Sequence, residues 1–145
     1  MKNLPFILIA FFMAFQACGQ PQKDTDTIIS NNPTNLKLKV LYFHITNRCM
    51  TCRGIEANVR KTLDEQFRNE VETGVIDLYI MNCELPENKD LVEKYEAYGA
   101  TLAITSFQNG KEQKTEDLTN WAFQKAHDPE LFVSELKSKI NEYIQ

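Results

Sequence analysis

The sequence predicts a three-layer α/β/α domain built on a mixed four-stranded sheet. Apolar runs typical of strands alternate with segments whose apolar residues recur every four positions, as in helices. Asn109-Gly110 is a strong signal for a tight hairpin, and Asp128-Pro129 is typical of a helix start. The expected order is β-α-β-α-β-β-α over residues 36–145. Right-handed crossovers would make the first two strands parallel and place helices on both faces of the sheet.

The first strand and first helix carry the clearest patterns. Residues 36–44 include the continuous run Val40-Leu41-Tyr42-Phe43, which indicates a strand buried on both faces. A helix is predicted from Cys49 or Cys52 to about Asn69. Its apolar positions follow a four-residue spacing: Ile55, Val59, Leu63 and Phe67.

The remaining elements follow in order. Strands are predicted over residues 75–81 and 101–107, with a helix over 86–98 between them. Residues 111–115 pair back across the hairpin, and a last helix begins at Asp128. That helix presents one apolar face, formed by Phe132, Leu136, Ile140 and Ile144.

The first 17 residues resemble the signal peptide of a bacterial lipoprotein. A positively charged start precedes about ten apolar residues, fewer than the roughly 20 that a membrane span needs. Ala17 precedes Cys18, whose thiol would take a diacylglycerol and so anchor the chain to a membrane. The alternative is an ordinary cleaved signal, which Phe15 fits poorly. Residues 18–35 are polar and predict a flexible tether before the domain at 36–145.

Composition excludes several classes of function. The net charge is −4 and the basic residues are scattered, so no nucleic-acid partner is expected. No glycine-rich phosphate loop follows a strand, so no flavin or nicotinamide cofactor is predicted. Of the four cysteines only Cys49 and Cys52 are close neighbours. A zinc site normally needs a second close pair of ligands, so no resident metal is predicted.

The Cys49-Met50-Thr51-Cys52 segment predicts dithiol chemistry. Amide donors at a helix start stabilise a thiolate there, and such pairs have a first-cysteine pKa of roughly 3.5 to 7.5. Arg48 adds a positive charge. Cys49 is therefore the expected nucleophile and Cys52 the resolving thiol. A static disulfide and half of a metal site stay open as alternatives.

Two further residues are predicted to lie at the same sheet edge. His44 ends the first strand and Cys83 follows the second, so both are auxiliary candidates for proton transfer, disulfide resolution or a soft-metal or trivalent-arsenical site. The simpler interpretations are a hydrogen-bonded histidine and a core cysteine. His127 is expected to face solvent, and Trp121 and Phe123 to pack within an irregular stretch.

The strand–helix junction carrying C-x-x-C resembles the thioredoxin superfamily over residues 36–145, and Phe107 to Lys111 is similar to its hairpin. More narrowly, Tyr42-Phe43-His44 with Arg48-Cys49-Met50-Thr51-Cys52 resembles a small bacterial family known as the nitrophenyl compound nitroreductase subunit, which is associated with organoarsenical resistance. Thioredoxin's buried acid corresponds here to Tyr42. Its cis-proline corresponds to Leu102, so a trans bond is expected.

The resemblance and the thiol pair together predict a lipid-anchored thiol–disulfide oxidoreductase of the cell envelope. Its expected partner is a membrane redox protein or a thiol/disulfide partner protein. The alternatives are a binding module for soft metals or trivalent arsenicals, and an accessory redox subunit of a flavin-dependent nitroreductase.

Overall fold

A computed structural model describes residues 26–145, which form one mixed sheet with helices on both faces. The strands are β1 (Thr27–Ile29), β2 (Leu38–His44), β3 (Ile76–Asn82), β4 (Thr101–Gln108) and β5 (Lys111–Asp117). The helices are α1 (Met50–Gln66), α2 (Arg68–Glu72), α3 (Lys89–Tyr95), α4 (Thr119–Lys125) and α5 (Pro129–Ile144), with a 3₁₀ turn at Pro86–Asn88. The signal peptide, Cys18 and the first part of the predicted tether, residues 18–25, fall outside the described residues.

The sheet has the strand order β1-β3-β2-β4-β5. Strands β2 and β3 are parallel, as predicted, and β4 and β5 form the predicted antiparallel hairpin. The expected count of four strands is wrong, because β1 adds a fifth strand antiparallel to β3. Three residues are too few to show a strand periodicity in the sequence. The backbone of β3 and the Asp26 carboxylate, which accepts from the Asn82 amide at 2.8 Å, hold β1 in place.

Two apolar clusters lie on opposite faces of the sheet. The larger one packs α1, α4 and α5 against one face and includes Tyr42, Ile55 and Phe132. The smaller one lies on the α3 side and includes Phe43 and Val92. Successive residues of a strand point to opposite faces, so Tyr42 and Phe43 separate between the clusters. The predicted three-layer arrangement is thus present.

The helices differ from the prediction at three places. The helix predicted over residues 86–98 starts as a 3₁₀ turn, and its α-helical part ends at Tyr95. The first helix ends at Gln66, and Phe67 leaves helical geometry with φ −138° before the short α2. Residues 119–125, predicted as irregular, form α4 because Ala122 is fully buried and the Leu118 amide bonds to the Leu102 oxygen at 2.8 Å. Trp121 packs on Phe132, with ring centroids 4.6 Å apart, which agrees with its predicted packing role.

Gly74 lets the segment after β1 cross close to the turn before β3. Its φ is +74°, and a Cβ atom there would lie 2.5 Å from the Asn32 amide nitrogen. Any side chain at this position would therefore strain the backbone and push the segment away. Within residues 26–145, no helix has both the length and the apolar character needed to cross a membrane.

Candidate functional site

The site lies at the sheet edge where the parallel strands β2 and β3 end. The Cys83 amide donates to the His44 oxygen at 2.8 Å, so the residues after both strands are adjacent there. Strand β4 begins at the same edge, with Thr101 opposite Phe43. Helix α1 starts after the turn that follows β2. The sequence prediction that His44, Cys83 and the thiol pair share one edge of the sheet is consistent with this arrangement.

Cys49 and Cys52 form a disulfide across the first turn of α1, with Cα atoms 5.2 Å apart. Cys49 is the N-cap residue, with extended backbone, and its sulfur accepts a hydrogen bond from the Cys52 amide at 3.2 Å. Free amides at a helix start favour a negatively charged acceptor. Cys49 is exposed, whereas Cys52 is only 8% exposed. The two sulfurs therefore differ in access, and the exposed one sits among the amide donors.

Arg48 lies against Glu56 of α1, and the Arg60 guanidinium donates to the other oxygen of the same carboxylate at 2.7 Å. Both Arg48 and Glu56 are largely shielded from solvent, at 9% and 15% side-chain exposure. The sequence suggested Arg48 as a positive charge acting on Cys49. Because Glu56 offsets part of that charge, the local field at the thiol pair depends on this carboxylate as well.

Tyr42 anchors the second cysteine. Its hydroxyl donates to the main-chain oxygen of Cys52 at 2.8 Å, and its side chain is fully buried. Burial raises the pKa of the Tyr42 phenol well above its usual range, although the nearby Arg48 charge opposes this. Tyr42 is thus an uncharged hydrogen-bond donor at neutral pH, and its role at the site is to hold the Cys52 main chain in place.

His44 is buried beside Tyr42, with the ring centroids 6.4 Å apart. Its Nδ1 lies 3.1 Å from the Ile45 oxygen. Its Nε2 is buried and makes no hydrogen bond within the described residues. The alternation of β2 places His44 on the face that α1 covers.

Cys83 is the free cysteine of residues 26–145, and it packs against the smaller cluster on the α3 side. Burial, and secondarily the Glu84 carboxylate, raise the pKa of the Cys83 thiol. Both effects oppose thiolate formation. The environment therefore matches the simpler interpretation of Cys83 as a partly buried core residue.

Among residues 26–145, no group of three or more His, Cys, Asp and Glu side chains is arranged to hold a metal ion. The bond before Leu102 is trans, as predicted.

His127 lies closer to the thiol pair than its sequence position suggests. It is exposed, as predicted, but its Nε2 is 3.4 Å from the Thr51 hydroxyl, between the two cysteines. The Asn58 amide holds this loop by donating to the Ala126 oxygen at 3.1 Å. No local sequence pattern indicates that the α4–α5 loop returns to the start of α1.

No protein-family model and no curated protein matches the chain. One solved structure, described as "Structure of a malarial protein", is similar at 18% identity over 63% of this chain and 98% of that chain, with a TM-score of 0.38. A likeness at that level carries no argument about function.

Proposed function

We propose that the chain is a thiol–disulfide oxidoreductase that uses the Cys49–Cys52 pair. One observation carries the proposal: an exposed N-cap cysteine is bonded to a buried cysteine one helical turn later. This asymmetry supports Cys49 as the attacking sulfur and Cys52 as the resolving one.

The reaction proceeds in two exchange steps. In the reduced protein, the Cys49 thiolate attacks a substrate disulfide, forms a mixed disulfide and releases one substrate thiolate. The Cys52 thiolate then attacks the Cys49 sulfur, which re-forms the protein disulfide and releases the second substrate thiolate. The substrate gains two electrons and the protein pair loses two. The reverse sequence oxidises a substrate dithiol.

We also propose that the fold is thioredoxin-like. The parallel β2–β3 pair, the antiparallel β4–β5 hairpin and helices on both faces support this, as does the thiol pair at the β2–α1 junction. At the position that corresponds to the cis-proline of thioredoxins, this chain has Leu102, a buried residue of β4 that follows a trans bond. A selective partner therefore fits better than general reduction of protein disulfides.

The proposed setting is the cell envelope, with the domain anchored through lipid on Cys18. The proposed partner is a membrane redox protein or another thiol/disulfide protein. Radiolabelled palmitate should enter the wild-type chain during growth and should be absent from the Cys18→Ser variant. Incorporation that persists in Cys18→Ser would contradict the anchor.

The resemblance to the nitroreductase subunit family suggests a second partner of the same redox pair, a flavin-dependent nitroreductase. Cys52→Ser should trap such a partner as a mixed disulfide on Cys49, and mass spectrometry would identify it. Capture of thiol proteins without any flavoprotein would argue against this partner.

An insulin reduction assay with dithiothreitol tests the activity itself. The wild type should accelerate insulin reduction, Cys49→Ser should abolish the acceleration, and Cys52→Ser should accumulate the mixed disulfide. Cys83→Ser is the matched control and should retain the wild-type rate. Full activity in Cys49→Ser, or loss of activity in Cys83→Ser, would contradict the assignment.

A further inference from the structure

Cys52 must lose a proton before it attacks the mixed disulfide, and its burial limits direct access of hydroxide. The His44 ring is only 1% exposed. A carbonyl oxygen only accepts hydrogen bonds, so the contact of Nδ1 with the Ile45 oxygen places the ring hydrogen on Nδ1. In the neutral ring Nε2 is then a lone-pair acceptor, and no hydrogen bond within residues 26–145 occupies it.

The ring is on the correct side of the sheet for this task. His44 follows Tyr42 on the face that α1 covers, and Tyr42 itself bonds to the Cys52 main chain. Burying a polar atom without a hydrogen-bond partner is unfavourable, so its retention calls for an explanation. One explanation that the geometry allows is that Nε2 accepts the proton of Cys52, at the start of α1.

The other titratable groups are less suited. The Tyr42 phenol is kept protonated by burial and already donates its hydrogen to Cys52. The Glu56 carboxylate is shared by Arg48 and Arg60. This carboxylate is therefore already ion-paired, and the three charges together set the electrostatic field on the face that α1 covers.

Two more carboxylates, those of Glu84 and Asp77, are also less suited to accept the Cys52 proton. Glu84 is exposed, and hydrogen bonds from Thr46 hold the pKa of its carboxyl below the usual value, with a smaller effect from His44. Asp77 faces the other side of β3. It lies five residues before the strand end, about 16 Å along the strand.

We propose that His44 Nε2 accepts the Cys52 proton, directly or through one water, when Cys52 attacks the mixed disulfide. The inference rests on the proposed function. The S–H proton moves to Nε2, the Cys52 sulfur bonds to the Cys49 sulfur, and the bond from Cys49 to the substrate sulfur breaks. The substrate leaves as a thiolate with the electron pair, and the imidazolium returns its proton to solvent or to that thiolate.

The test uses the aromatic disulfide 5,5′-dithiobis(2-nitrobenzoate), abbreviated DTNB. The full chain in detergent carries Cys18→Ser and Cys83→Ser, so that only the pair reacts. After reduction, stopped-flow absorbance should show one thionitrobenzoate released by Cys49 and a second released when Cys52 resolves the mixed disulfide. Cys52→Ser should lose the second phase, which assigns it.

His44→Gln should slow the second phase at neutral pH by roughly ten- to a hundredfold, at or below the lower end of what a positioned base contributes. The first phase should be unchanged. Glu65→Gln, at an exposed side chain of α1 outside the site, is the control. It should leave the second phase at the wild-type rate.

The outcomes separate the two levels of the proposal. A second phase in His44→Gln that keeps the wild-type rate overturns the role of His44 but leaves the oxidoreductase intact. A missing first phase in the folded wild type overturns the proposed function. If His44→Gln does not fold, His44→Asn replaces it, and an unchanged second phase in that variant contradicts the proposal.

Discussion

The Tyr42 hydroxyl donates a hydrogen bond of 2.8 Å to the main-chain oxygen of Cys52, which joins the central strand to the first turn of α1. The main-chain oxygen carries no charge, and the Tyr42 phenol stays protonated at neutral pH because burial raises its pKa. The bond fixes the buried half of the thiol pair without taking part in proton transfer. In our account Tyr42 holds Cys52 in place, and His44, two residues later in β2, accepts its proton.

Tyr42→Phe should therefore lower stability and leave the chemistry intact. Removing the hydroxyl leaves a buried carbonyl without this donor, at a cost of about 1 to 3 kcal/mol of unfolding free energy. Urea unfolding measures the change, and Tyr98→Phe, at a residue that is 73% exposed, is the control with an expected change below about 0.5 kcal/mol. The DTNB second phase should stay within about twofold of wild type. A slowing as large as that of His44→Gln would assign proton transfer to Tyr42 instead.

Glu56→Gln should make Cys49 more acidic. The carboxylate now offsets the Arg48 guanidinium beside the thiol pair, so its neutralisation increases the positive field that stabilises the thiolate. The pH dependence of Cys49 alkylation should shift to lower pH. Glu65→Gln, on the same helix with an exposed side chain, is the control and should not shift it. A shift of Cys49 to higher pH would show that the structural effect of the ion pair outweighs its electrostatic effect.

Cys83 should react slowly with iodoacetamide. Burial and Glu84 raise the pKa of its thiol, so less thiolate is present at any pH between the ordinary and the raised value. In the oxidised protein Cys49 and Cys52 are bonded to each other, so mass spectrometry can follow the alkylation of Cys83 separately. At pH ~8.5 the alkylation rate of Cys83 should lie below that of a free cysteine, and it should increase in Glu84→Gln. If Cys83 reacts as fast as reduced Cys49, the core assignment fails.

Strand β1 should contribute to stability even though it lies in a stretch predicted as a tether. It covers the edge of β3, and Asp26 bonds to both the Asn82 amide and the Asn88 side chain. A chain of residues 36–145 should have a lower Tm than a chain of residues 26–145. Asp26→Asn in the longer chain should lower the Tm by part of the difference between the two chains. Equal Tm values for the two chains would show that β1 adds nothing.

The patterns of long elements predicted most of the fold. The apolar run at Val40–Phe43 and the Asn109-Gly110 turn identified β2 and the hairpin, because each depends on local propensity. Strand β1 escaped prediction because it is stabilised by pairing with β3, about 50 residues away. At the site, C-x-x-C identified the cysteines. The partnership of Arg48 with Glu56 and the approach of His127 to Thr51 depend on tertiary packing, so sequence spacing alone could not predict them.

The pH dependence of thiol alkylation in the reduced protein tests the central claim most directly. Each cysteine is quantified by mass spectrometry across a pH series after brief exposure to iodoacetamide. An exposed sulfur at the helix start should ionise first, so Cys49 should react ahead of Cys52, with a midpoint clearly below the ~8.5 of a free thiol. Faster reaction of Cys52, or midpoints near 8.5 for both, would contradict the assignment of Cys49 as the nucleophile.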